Sequence, residues 1–466
     1  MYKSNALNLF INITITIICI ASFVFLFINQ KNTYQGYELM YLMPLSYLFF
    51  HMLFIRKVLT NYGLSIFLAV YIVISFTRYV ILPFLTLESG WYLGRANFPP
   101  NPYHFRKAIL LMLYELFCYH GIVYLAHRII FKNHKYNKLL NREKLDFEFN
   151  SFIYIIFILF SISTIILKPS VIKYISFISV NSSYMSFREF DTLTSLIILM
   201  LTLSRYLLYF VIVKFIIKFI QPKHFFLSII LVSIVTILNA LIFFGTNRAD
   251  FIFTFIVSLI ILVYLYGKYG IALNLVFISL LPFVINGISS YRRQGTVTDG
   301  EGAMVVLTDK LQIYLGGIYN VAISLDLPER TGNILLLLAD IFRSAIGPNI
   351  FLKNLDFITS SQLFNYRIFS VSQVSQIIPM IGQSQLYFGF FLSPLLGMIF
   401  ITLAVFFTKI IIKSNRFDLV FIFMLTSGRL GFVMAQNGSI LLNDLTSLIP
   451  LFLILYYLNN KIVVKL

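Results

Sequence analysis

Apolar runs of about 18 residues alternate with short polar connections along nearly the whole chain. They fall at 7–28, 39–55, 64–87, 108–131, 150–168, 192–213, 225–244, 251–267, 271–289, 386–408, 418–435 and 440–458. A bilayer core offers backbone groups no water, so segments of this kind must close their own hydrogen bonds as helices. The pattern predicts an all-α, polytopic helical membrane protein with about twelve transmembrane helices. It forms a single integral membrane domain over residues 1–466. Arg78 interrupts the third run and is a point where that span can split. The mixed segment 169–191 reads as lying along the interface. The first run is too long for a signal-peptide core and lacks a small-x-small cleavage site, so it is expected to be a retained span.

Charge orients the spans. The connection 132–149 carries Lys132, Lys135, Lys138, Arg142 and Lys144 and is expected on the cytoplasmic side. Alternation from there puts both termini in the cytoplasm, together with Arg56/Lys57, Lys214/Lys218/Lys223, Lys268, Lys409/Lys413/Arg416 and Lys461/Lys465. The outer face receives 88–107, 169–191, the turn at 244–251 and a large extracytoplasmic loop, 290–385. That loop holds seven basic and seven acidic residues, and apolar stretches such as Ile334–Ile341 predict short helices packed on the membrane face. Long structured loops are commonly functional.

Composition agrees with this picture. The chain has 466 residues, 59% hydrophobic and 12% charged, against about 25% charged in soluble domains. The net charge of +18 follows from basic cytoplasmic connections, and no nucleic-acid partner is needed to explain it. Cys19 and Cys118 both lie in apolar runs and imply neither a disulfide framework nor a zinc site. No Gly-x4-Gly-Lys-Ser/Thr and no Asp-x-Asp sequence is present, so neither a P-loop nor a metal–diphosphate site of the nucleotide-sugar kind is expected. His120 and His127 share a helix face without a third ligand and read as core or pore residues.

Two segments at span ends carry arginine on the outer face, where positive charge is usually depleted: Gly245–Asp250, with Arg248, and Ser289–Gly295, with Arg292 and Arg293. The bland reading is snorkelling to lipid headgroups. The functional reading is an anion site. A turn at a helix start exposes backbone N–H groups, and paired guanidinium groups grip phosphate oxygens in bidentate fashion. Arg429, in the outward half of its span, is a fourth candidate. Glu115 is a partner for either Arg78 or Arg205. Asp340 and Glu301 are candidate general bases, with pairing of Asp340 to Arg343 one turn on as the competing reading. Asp340–Pro348 reads as a helix end with a Gly-Pro stop, and Ile378–Gln383 as a break before the next span. Trp91, Tyr92, Phe98, Tyr103 and His104 in 88–107 fit either sugar stacking or an interfacial aromatic belt.

In these residues the chain resembles the oligosaccharide repeat-unit polymerases that make O-antigen, capsule and other bacterial polysaccharides. Gly245-Thr246-Asn247-Arg248-Ala249 is similar to their Gly-Thr-Arg-Ala-like turn, with one extra residue. Arg292-Arg293-Gln294-Gly295 fits their basic pair, Asp340–Pro348 their outer helix and stop, and Pro379–Gly382 their Pro-x-x-Gly break. The resemblance runs from about 240 to 400, and the N-terminal half matches only in hydropathy.

The resemblance implies a GT-C-like membrane glycosyltransferase architecture in the bacterial cytoplasmic (inner) membrane, working without metal or other cofactor. It implies a substrate linked to undecaprenyl diphosphate and en bloc transfer of the growing glycan to a newly flipped repeat unit. Arg248, Arg292, Arg293 and Arg429 would hold the diphosphate, and Asp340 or Glu301 would take the acceptor proton. Its candidate protein partners are a chain-length regulator and a flippase. The alternatives are a flippase for the same lipid-linked unit, or an O-antigen-ligase-like transferase. Against the first stands the long segment 290–385, and against the second the absence of histidine from it.

Overall fold

The computed structural model describes residues 2–132, 145–175, 191–242, 248–291, 302–345, 348–352, 355, 357–369 and 376–462. Its described residues are helical, with no β-strand. Each expected apolar run contains helix among its described residues, although 418–435 stops being helical after Leu430. Seven helices among the described residues are long and apolar enough to cross a membrane: Asn8–Ile28, Leu42–Tyr62, Ile66–Ser89, Pro102–Phe131, Thr192–Ile220, Leu395–Lys413 and Gly438–Lys461. Shorter apolar helices cover Phe152–Leu167, Phe225–Leu241, Asp250–Tyr266 and Lys268–Ser279. The chain is a helical membrane protein.

It divides into two compact units. The first unit comprises 1–140, 295–409 and 427–443. It contains α1 (Tyr2–Ile28), α2 (Leu42–Phe50), α3 (Arg56–Tyr62), α4 (Ile66–Phe76), α5 (Leu82–Ser89) and α6 (Pro102–Phe131). A π-helical turn, Thr77–Ile81, joins α4 to α5 and carries Arg78. The charge that the sequence marks as a possible split therefore widens one turn of a continuous helix. Arg78 Nη1 lies 2.8 Å from Glu115 Oε2, and both side chains are sealed from solvent. Glu115 thus takes the first of its two candidate partners, while Arg205 bonds the carbonyl of Ile242 in the other unit. His120 and His127 are buried on α6, the first bonded to Tyr71 and the second to the Val123 carbonyl.

The second unit comprises 141–294, 410–426 and 444–466. Here α7 (Phe152–Leu167), α8 (Thr192–Phe215), α9 (Phe225–Leu241), α10 (Arg248–Tyr266) and α11 (Lys268–Tyr291) pack each against the next. Gly270 lies against the Leu262 carbonyl, so α10 and α11 meet closely at their connection, where a Cβ has no room. Tyr209, Phe210, Phe417 and Phe421 form an aromatic cluster. Asp418 is sealed beside it, paired with Arg416 at 2.7 Å and accepting from the Tyr154 hydroxyl at 2.8 Å.

The segment 302–369 adds five helices to the first unit: α12 (Ala303–Leu315), α13 (Ile318–Leu325), α14 (Ile334–Phe342), α15 (Asn349–Leu352) and α16 (Ser360–Phe369). Of these, α13 is buried, whereas α12, α14 and α15 keep apolar side chains exposed, among them Leu335 at 80% and Phe351 at 81%. Gly316 ends α12 in the left-handed region, where a Cβ would press on Pro379. Its carbonyl accepts from Arg78 Nε at 2.9 Å. The chain then turns into α13, whose residues Ile318–Ser324 are all buried against α6 and α17 (Met380–Leu392).

The expected span 386–408 is interrupted: α17 kinks at Gly389 (φ 71°), and α18 (Leu395–Lys413) starts after Ser393-Pro394. Hydropathy reads through such a break because the flanking residues stay apolar. The chain ends with α19 (Phe417–Leu430) and α20 (Gly438–Lys461).

Candidate functional site

The first unit contains one dense polar network centred on Asp340. Local sequence builds each part of it. Asn333 caps α14, its side chain accepting from the Leu336 N–H at 2.9 Å. This sets the helix so that Leu337, Asp340 and Ile341 share its buried face. Pro379 precedes α17 in extended backbone and the helix starts at Met380, so Met380–Gln383, expected to be part of a break, are helical. Gly382 lets α17 approach α13 so closely that a Cβ would overlap the Ser324 hydroxyl. The next residue, Gln383, is thereby held against Asp340.

Asp340 is 1% exposed. Its Oδ1 accepts from the Ser360 N–H at the start of α16, at 3.2 Å. Its Oδ2 accepts from Gln383 Nε2 and from the Tyr387 hydroxyl, each at 3.1 Å. Its backbone carbonyl accepts from Ser439 Oγ at 3.1 Å. Gln383 Oε1 in turn accepts from the Gly438 N–H at 2.7 Å, and Nε2 also reaches Ser360 Oγ at 3.1 Å. Asn437 Nδ2 donates to Ser361 Oγ at 3.2 Å. Four chain segments thus converge: α14, the start of α16, α17, and the turn into α20.

A buried carboxylate is tolerated only with hydrogen bonds of this kind. Such a centre fixes the four segments in one register. Arg343 reaches the Phe357 carbonyl at 3.0 Å and lies over that ring. The bonds that hold Asp340 are those from Ser360, Gln383 and Tyr387.

The other site candidates are distributed as follows. Arg429 is 9% exposed in the last turn of α19, where a cation is favoured by the helix dipole. The backbone turns sharply just after it, with the Gly431 N–H bonded to the Gly428 carbonyl at 3.0 Å. Arg248 is the first residue of α10 and belongs to the second unit, and the turn expected at Gly245-Thr246-Asn247 lies outside the described residues. Helix α11 runs to Tyr291, so Arg292 and Arg293 follow directly on its end. Arg292, Arg293 and Glu301 themselves lie outside the described residues.

Sequence reasoning missed Gln383, Tyr387, Ser360 and Ser439. The available signal was Gln383 and Tyr387 four apart and flanking the Gly382 and Gly389 breaks, which puts both on one face of α17.

The aromatic loop 88–107 is anchored on the same large segment. Asp309, also buried, receives Arg95 Nε at 2.9 Å and Trp91 Nε1 at 3.2 Å. Gln312 Nε2 donates to the Trp91 carbonyl at 3.2 Å. Trp91 is thus committed to packing, whereas Phe98 is 70% exposed.

The fold and this network define a helical membrane protein with a charged polar centre built largely from its longest connecting segment. No protein-family model matches the chain, and no curated protein or solved structure does either.

Proposed function

We propose that the protein is a polysaccharide polymerase of the bacterial cytoplasmic membrane, joining undecaprenyl-diphosphate-linked oligosaccharide repeat units at the extracytoplasmic face. In this reading the chain makes twelve crossings in a GT-C-like arrangement, with both termini cytoplasmic and 290–385 outside. The acceptor hydroxyl attacks the anomeric carbon of the donor glycan. The carbon–oxygen bond to the diphosphate breaks, its electron pair leaves with undecaprenyl diphosphate, and the hydroxyl proton passes to a carboxylate, Asp340 or Glu301. Arg248, Arg292, Arg293 and Arg429 neutralise the charge that grows on the leaving group, a task fixed guanidinium groups perform well in a water-poor site. A chain-length regulator and a flippase are candidate protein partners.

The observation that carries the proposal is the coincidence of motif and network. The two outer motifs on which the resemblance rests within the described residues, the Asp340 helix and the Pro379–Gly382 break, supply Asp340 and the placement of Gln383 at the polar centre. A flippase would more naturally place its charges at a midplane site between paired repeats.

The test is glycan analysis of cells carrying Arg248→Ala, Arg292→Ala or Arg293→Ala. Long-chain polymer should disappear while single lipid-linked repeats persist on the outer leaflet. Normal chain-length ladders in all three would defeat the proposal, and repeats trapped on the inner leaflet would indicate a flippase.

A further inference from the structure

Beside the Asp340 network, the first unit has a groove of about 470 Å³ lined by Phe98, Asp326, Pro328, Leu363, Tyr366 and Arg367. Two features set it apart from ordinary surface. First, Phe98 is 70% and Tyr366 61% exposed, so two aromatic faces remain open on connecting segments, away from the helices apolar enough to cross a membrane. Second, the polar pair in the groove is fixed. Asp326 Oδ2 accepts from Arg367 Nε at 2.7 Å and pairs with Nη2 at 2.5 Å. Arg367 Nη1 is held by the Phe98 carbonyl at 2.8 Å. The remaining oxygen, Oδ1, faces His104 Nδ1 at 3.6 Å, too far for a hydrogen bond. Oδ1 and the buried, unpartnered His104 Nδ1 together can receive one hydroxyl between them.

We propose that this groove binds a neutral sugar residue of the oligosaccharide substrate; the choice of substrate rests on the polymerase reading above. A pyranose has an apolar C–H face that suits Phe98 and Tyr366, and hydroxyls at its edge that donate to Asp326 Oδ1. Charge argues against a lipid phosphate as occupant. Arg367 is already neutralised by Asp326 and so offers an anion no unpaired guanidinium. Helix α16 links the groove to the polar centre, with Ser360 at its start on Asp340 and Arg367 near its end on Asp326. At 1.5 Å per residue the two points lie about 10 Å apart along the helix.

The test uses the full-length protein in nanodiscs, with glycerophosphoglycerol as the lipid-phosphate control and two sugar probes. One is the oligosaccharide released by mild acid from membrane lipids of a strain lacking the protein. The other is an array of neutral oligosaccharides. Binding is read by saturation-transfer NMR for wild type, Phe98→Ala, Tyr366→Ala, Asp326→Asn and Phe98→Trp. Each alanine variant should weaken binding about tenfold, the loss of one stacking partner. Asp326→Asn should weaken it too, and Phe98→Trp should retain it. Phe98 and Tyr366 are exposed, so thermal unfolding of their variants should match wild type and separate lost binding from lost fold. Equal binding by wild type and both alanine variants overturns the groove assignment. So does saturation of glycerophosphoglycerol with no response from any neutral sugar. If the deletion strain accumulates no single repeat, the polymerase reading fails separately. The array then decides the groove, and silence on it overturns the sugar site.

Discussion

Replacing Asp340 by asparagine should destabilise the protein although the side chain keeps its size. The carboxylate is surrounded only by donors: the Ser360 N–H on one oxygen, and Gln383 Nε2 with the Tyr387 hydroxyl on the other. Asparagine must turn an NH2 toward one side. Gln383 cannot flip to meet it, because its own oxygen is held by the Gly438 N–H at 2.7 Å. The cheapest orientation turns the NH2 to Ser360 and leaves two donors facing each other, one on the backbone. Each buried unsatisfied group costs about 1–3 kcal/mol, so Asp340→Asn should cost about 2–4 kcal/mol. The readout is thermal unfolding of purified protein in detergent.

The second arm restores the polarity. In Asp340→Asn/Gln383→Glu, the new carboxylate accepts both the asparagine NH2 and the Gly438 N–H, and the Asn oxygen keeps Ser360. Stability should return most of the way. Asp340→Asn as stable as wild type, or a double variant no better than the single, would refute this account of the network. Polymer analysis of the same strains separates two roles. Polymer returning with stability makes Asp340 a positioning residue, whereas stability without polymer makes it the base.

Other outcomes follow from the same structure. Glu115→Gln or Arg78→Met should each cost about 3–5 kcal/mol by stranding a buried charge, and Arg78→Met/Glu115→Leu should recover most of it, as read by thermal unfolding. Gly382→Ala should lose about 1–3 kcal/mol through overlap with Ser324, and Ser324→Gly in the same chain should restore part of the loss; a harmless Gly382→Ala would disprove the close α13–α17 approach. A single cysteine placed at Thr298 should react with an impermeant maleimide added to whole cells, and labelling only from the cytoplasmic side would refute the orientation and the mechanism built on it.

What the sequence disclosed depends on the kind of signal. Apolar runs are long and redundant, so every helix in 7–28 or 440–458 style was legible from hydropathy alone. Breaks inside apolar sequence were not. The π-helical turn at Arg78 and the kink at Gly389 leave the average hydropathy unchanged, and only the isolated charge and the glycine mark them. The pairing of Glu115 was narrowed to two arginines but not decided, because spacing along one helix says nothing about which neighbouring helix faces it. Asp340 was found as an isolated acid in an apolar helix. Its partners Ser360, Gln383 and Ser439 were not, since they come from three other segments joined only by tertiary packing.

Three interior ties in 302–369 bear on how that segment can move. Here the Gly316 carbonyl is bonded to a sealed arginine in a spanning helix, α13 is buried along its length, and α14 and α16 meet at a buried carboxylate. Those three ties span the segment from its beginning to its end, so releasing it requires breaking charged hydrogen bonds in the interior. On the proposed reading, the part available for substrate is the rim where Tyr366 and Pro328 open onto Phe98. A rigid scaffold with an open aromatic rim suits an enzyme that must hold a flexible glycan still, because the ordering cost then falls on the ligand alone. That division of labour predicts that substitutions at Asp340 or Gly316 disturb the whole segment. Substitutions at Phe98 or Tyr366 should change only how tightly a glycan is held.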